Sequence, residues 1–199
     1  MIAVPVAPRP QTPPASIRRA YETHGVDGFY RRSGGDYRNP HEPQLRESLQ
    51  IAARGWDLNL KHVLDLAAGS GEVTLALQEL GATAIDAIDP FTFEAYRRRT
   101  GNVAGRQTFQ DIAASTLAGR HYSLIVCSFA MHLVERSRLP GLCAALSEIG
   151  DALLILTPHK RPEIRESWGW TLTREMVVQR VRSRLYRPTP ILSPSTSEE

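Results

Sequence analysis

The sequence predicts a three-layer α/β fold: an open, mostly parallel sheet with helices on both faces and an antiparallel strand at its C-terminal end. Three observations carry this. Short apolar runs alternate with helical patterns from residue 62 to residue 157, the rhythm of a parallel sheet covered on both sides. A glycine-containing turn, Ala67-Ala68-Gly69-Ser70-Gly71, joins the first of these runs to a helical pattern. The 199 residues are 42% hydrophobic, enough for one domain with a real core and too few for two large ones.

Residues 1–15 hold Pro5, Pro8, Pro10, Pro13 and Pro14 and read as a disordered leader. The domain is expected over 16–187, followed by a disordered tail over 188–199. Ser16 is a candidate N-cap for a helix over 16–27. Residues 28–41 form a loop with turns at Gly34-Gly35 and Asn39-Pro40. Leu45, Leu49 and Ala52 share one face of a helix over 42–55, which Gly55 ends. Strands are then expected over 62–67, 83–88, 106–110 (the weakest), 122–128 and 151–157. The helices between them span 71–80, 91–99 and 136–149. Arg97, Arg98 and Arg99 suit the C-terminal end of their helix. In 170–187, Val177, Gln179, Val181, Ser183 and Leu185 alternate with Arg180, Arg182 and Arg184, the pattern of an edge strand with one wet face.

Composition narrows the function. No apolar run reaches the ~18 residues of a membrane span, so no membrane partner is expected. Cys127 and Cys143 sit in apolar surroundings outside any metal-ligand spacing. They read as reduced core residues of a cytoplasmic protein, with the nucleus also open, and no metal is expected. The net charge is +3, carried almost wholly by arginine, since Lys61 and Lys160 are the only lysines. That balance favours a nucleic-acid partner only slightly.

The informative stretch is VLDLAAGSGEVTLAL, residues 63–77. A strand carries Asp65 near its end, a tight turn holds Gly69 and Gly71, and a helix follows. Glycine allows positive φ and close approach of backbone to a ligand, and the helix start offers unpaired N–H groups. A dinucleotide fingerprint would want a third small residue where this chain has Thr74.

This stretch resembles motif I of the class I S-adenosylmethionine (SAM)-dependent methyltransferases, whose common form is Asp/Glu-x-Gly-x-Gly-x-Gly after a strand. Ala67 stands in place of the first glycine. The resemblance covers roughly residues 60–160 and implies a Rossmann-like sheet, SAM as cofactor and methyl transfer as the reaction. It implies that Asp89 with Pro90, eighteen residues after Gly71, binds the ribose hydroxyls. It implies that Asp111 with Ile112 receives the adenine amino group. It also implies that Ser128 and the segment to His132 line the transfer centre. Asp65, Asp89 and Asp111 then offer acceptors to the ammonium, the diol and the exocyclic amine.

His132, just past the fourth strand, is the leading candidate for a base or a group that positions the acceptor, with His159 and Tyr37 behind it. Tyr30, Tyr37, Asn39 and His41 could form a lid over the cofactor. Trp168 and Trp170 could stack a flat acceptor, although packing suits them better. Ser128-Phe129-Ala130-Met131 replaces the Asn-Pro-Pro-Tyr of many amine methylators, which lowers those substrates. A small-molecule acceptor is expected. RNA or protein methylation, with Arg180, Arg182, Arg184 and Arg187 tracking phosphates, is the alternative, as is a non-catalytic SAM-binding subunit. A nicotinamide-dependent oxidoreductase is more distant.

Overall fold

A computed structural model of the chain describes residues 38–190. The expected leader, the expected helix over 16–27, Tyr30, Tyr37 and the tail from residue 191 lie outside the described residues.

Helix α1 (Glu42–Gly55) starts with proline in its first turn and buries Leu45, Ser48, Leu49 and Ala52. Strand β1 (Val63–Leu66) leads through the glycine turn into α2 (Glu72–Glu79). Strand β2 (Ile85–Ile88) is followed by α3 (Phe93–Thr100), which ends on Gly101 in the left-handed conformation. A short helix α4 (Phe109–Ala113) precedes β3 (Leu124–Ser128). Helix α5 (Leu139–Ser147) connects to β4 (Leu153–Thr157), and a hairpin of β5 (Trp170–Val178) and β6 (Val181–Pro188) closes the sheet.

The strand order is β2-β1-β3-β4-β6-β5. The first four strands are parallel, and β6 runs antiparallel to both β4 and β5. The order reverses between β1 and β3, so their carboxyl ends form the switch point where open α/β sheets bind ligands. Alternation along the strands builds two cores. Val63, Leu124, Val126, Leu154 and Leu156 meet α1 and α2 on one face. Leu64, Leu66, Ile125, Cys127 and Ile155 meet α4 and α5 on the other. Cys127 and Cys143 are buried free thiols, and burial pushes both up to about 12. Among the described residues no helix is long and apolar enough to cross a membrane.

Two expectations are corrected. No strand forms over 106–110: Gly105 makes a single parallel bridge to Ile88, and α4 begins after Thr108. The Thr108 hydroxyl accepts from Asp111 N at 3.2 Å, and the Asp111 carboxylate accepts from Thr108 N at 2.8 Å. This reciprocal cap satisfies two backbone donors locally and favours helix over an extended edge.

The second correction concerns 170–187, which is two strands. Gln179 and Arg180 turn the chain with φ of 45° and 70°, the pattern of a type I′ hairpin. A bulge between Leu172 and Arg174 shifts the β5 register. The arginine face is also not uniformly wet. Arg182 and Arg184 both pair with Glu175. Arg184 is only 7% exposed and donates to the carbonyls of Lys160 and Pro162, each at 2.8 Å. Beyond β6, Thr189 N still donates to Gly169 O at 2.9 Å.

Candidate active site

The turn after β1 is built from left-handed residues. Ala67, Gly69 and Gly71 have φ of 59°, 60° and 91°. For alanine this conformation costs about 1–2 kcal/mol; Ala68 N to Ile88 O at 3.0 Å and Gly71 N to Ala68 O at 2.9 Å help hold the turn. Gly71 is required by space as well as by φ. A Cβ there would lie 2.4 Å from Thr100 Cγ2 and 3.3 Å from Tyr96 Cδ2, on α3.

Asp89, at the end of β2, ties this turn to the next loop. It is 7% exposed. Its Oδ2 accepts from Gly69 N at 3.1 Å, and its Oδ1 accepts from Phe91 N and Thr92 N at 2.8 and 2.7 Å. Thr92 Oγ1 returns a hydrogen bond to Gly69 O at 2.7 Å. Two backbone segments from neighbouring strand ends are thereby locked together.

Between these loops and the segment after β3 lies a cleft of about 690 Å³, within the usual range for small ligands. Of the residues expected from sequence, Ala67, Gly69, Asp89, Pro90 and Ser128 are in its wall. Asp65 lies beneath the turn, fully buried. Its Oδ2 accepts from Thr74 Oγ1 at 2.7 Å, and its Oδ1 has no partner. Burial pushes its carboxyl up to about 7, against the lowering effect of the Thr74 hydrogen bond. Gly71 faces α3. Ile112 is in the core. The Asp111 carboxylate is exposed and held below its ordinary value by the Thr108 backbone N–H and hydroxyl.

His132 and His159 come together, with ring centroids 4.5 Å apart. They follow β3 and β4, which are adjacent parallel strands. Burial, then the neighbouring His159, pushes His132 down to about 4, and its Nδ1 is buried without a partner. Both imidazoles lie beyond the cleft wall. Phe129, which is in the wall, has a φ of 52° and stacks on His41 at 5.5 Å. Trp170 is wholly buried and donates to Cys143 O at 2.8 Å, so it serves packing.

Several wall residues escaped the sequence reading. Glu72, 5% exposed, accepts from Asn39 N at 2.9 Å, from Ser70 N at 3.1 Å and from Ser70 Oγ at 2.5 Å. Arg99 turns back from the end of α3 to pair with Glu72, 3.4 Å away, and with Glu42. Asn39, one of the expected lid residues, is thereby fixed in the cleft wall. Glu72 follows the glycine turn directly, a signal that was available. Gln107, Phe91 and Phe109 also line the cleft, and no pattern in the sequence marked them.

No family model matches the sequence. A curated relative, an uncharacterised protein of Schizosaccharomyces pombe, is 35% identical and covers 87% of this chain and 92% of its own length. Among solved structures, magnesium protoporphyrin IX methyltransferase (ChlM) of Synechocystis with bound SAM is 20% identical with a TM-score of 0.54, over 88% of this chain and 98% of that one. The complex of DhpI with S-adenosylhomocysteine is 19% identical with a TM-score of 0.59, over 82% and 95%. At these identities the solved structures establish the fold. The chain therefore belongs to one family with its fission-yeast relative and has the fold of SAM-dependent methyltransferases of known structure.

Proposed function

We propose that this chain transfers a methyl group from SAM to a small-molecule acceptor. The observation that carries the reading is the Asp89-braced glycine turn opening onto a cleft at the sheet's switch point. Asp89 retains acceptor capacity for a ribose hydroxyl on Oδ2, which has given one of its two lone pairs to Gly69 N, while Phe91 N and Thr92 N fill Oδ1. Gly69 lets the backbone come close to the ligand. Of the two acids beside the turn, Glu72 stands in the wall and suits the ammonium, while Asp65 lies behind it. When bound, the cofactor supplies an activated methyl group on a sulfonium.

The chain's own part is then to position the acceptor and exclude water. A group pushed down to about 4 is a weak base at neutral pH. With the His132 and His159 imidazoles both beyond the cleft wall, the reading favours acceptors that need little help in losing a proton. The small-molecule assignment draws on the cleft's size and on the hairpin arginines: Arg182 and Arg184 are engaged by Glu175 and backbone carbonyls.

The test is calorimetry with SAM and S-adenosylhomocysteine on the wild type and on Asp89→Ala, followed by radiolabelled methyl transfer to metabolite and RNA pools. Micromolar binding that collapses in Asp89→Ala, with label entering a metabolite, is the expected result. Label entering RNA alone would overturn the small-molecule assignment. Binding without turnover on any pool would make the chain a SAM-binding subunit. No binding by folded wild type would end the cofactor reading.

A further inference from the structure

We infer that Gln107, and not Asp111, reads the purine edge of the cofactor. This rests on the proposed cofactor reading and adds to it the residue that recognises the base. Reading an exocyclic amine calls for a hydrogen-bond acceptor at the cleft beyond the ribose. Asp111 is committed elsewhere: its Oδ2 accepts from both Thr108 N and Thr108 Oγ1 at 2.8 Å, as the cap of α4, and its carboxylate is exposed outside the cleft wall. Gln107 is in the wall, and its Oε1 is buried with no hydrogen-bond partner. A buried, unpaired amide oxygen is costly, and a ligand N–H that reaches it removes that cost.

Its position fits as well. The Gln107 amide lies over Gly105, where a Cβ would come within 2.4 Å of Oε1. Gly105 is in turn fastened to the end of β2, with Gly105 N to Ala87 O at 2.8 Å and Asp89 N to Gly105 O at 2.9 Å. The amide is thus built against the same strand end that presents Asp89, so one strand end would serve both ribose and base. Phe91 and Phe109 in the same wall offer apolar surface to a flat ring. A glutamine amide supplies an acceptor and a donor side by side, matching an amino group next to a ring nitrogen. A carboxylate would offer acceptors only.

The experiment compares S-adenosylhomocysteine with its analogue lacking the 6-amino group, by calorimetry. The proteins are the wild type, Gln107→Leu, Asp111→Ala and Gly105→Ala, each checked for folding by circular dichroism. The wild type is expected to prefer the amino-bearing ligand about 10-fold, the equivalent of one hydrogen bond. Gln107→Leu is expected to bind the two ligands equally. Gly105→Ala, which displaces the amide without removing it, is expected to narrow the preference, and Asp111→Ala to keep it. A preference that survives in Gln107→Leu, or one that vanishes in Asp111→Ala, would overturn the assignment. Failure of the wild type to bind either ligand is a separate result, and it would remove the cofactor reading itself.

Discussion

Replacing Asp65 by asparagine is expected to stabilise the ligand-free chain at alkaline pH. Asp65 is fully buried, with Thr74 on one oxygen and nothing on the other. Its carboxyl is pushed from 3.8 to about 7, chiefly by burial. Between those values the folded chain holds a proton that the unfolded chain has released. Stability therefore falls as pH rises through this window, and the loss is complete above about 7. At ~1.4 kcal/mol per unit, the wild type gives up about 4 kcal/mol. Asparagine never ionises, but its amide nitrogen takes the unpaired position and costs ~1–3 kcal/mol. The protonated acid bears a similar cost, so the two proteins are expected to agree within ~1 kcal/mol near pH 4.5. At pH 8.5 the variant is expected to lead by ~2–4 kcal/mol. Urea denaturation followed by circular dichroism at the two pH values measures this directly. A stability difference that is the same at both pH values would refute the reasoning.

Two further substitutions probe the site's construction. Gly71→Ala combines an unfavourable φ with a clash against Thr100, and is expected to cost ~2–4 kcal/mol in urea denaturation. The double variant with Thr100→Ser recovers only the clash. For His132→Phe the pH dependence carries the test. His132 is pushed down from 6.5 to about 4, so its neutral form stabilises the wild type above pH 6.5, and that contribution drains away as pH falls towards 4. After allowance for its partial exposure this amounts to ~1–2 kcal/mol. The phenylalanine variant is expected to lack that slope in thermal melts, and an unchanged slope would show that His132 does not titrate as described.

The sheet was legible because β1, β3 and β4 are buried on both faces and read as mostly apolar runs. The glycine turn was legible because few residues tolerate its φ angles. The meeting of His132 and His159 followed from the neighbouring parallel strands that precede them. Other features were hidden for physical reasons. Gln179-Arg180 makes an I′ turn without the usual asparagine or glycine, so nothing in the sequence split 170–187 into two strands. The arginines of β6 looked solvated because their partner, Glu175, is reached only through the hairpin register. The missing third strand was the avoidable error: Thr108-x-x-Asp111 is a helix-start signature, and it outweighs a weak apolar run at a sheet edge. That same cap removes Asp111 from the cleft, and no reading of spacing alone would have put Gln107 in its place.

Asp89 receives three backbone N–H groups, from Gly69, Phe91 and Thr92, before any ligand arrives. A loop braced in this way needs no ordering by its ligand, so the entropy of shaping it is spent during folding and not at each encounter. Capture can then proceed at a rate set by diffusion into an open cleft. On the proposed reading, discharge of a spent cofactor likewise need not wait for the loop to melt. On the same reading the turnover number would answer to the chemistry, with the glycine turn standing as a fixed seat through every cycle.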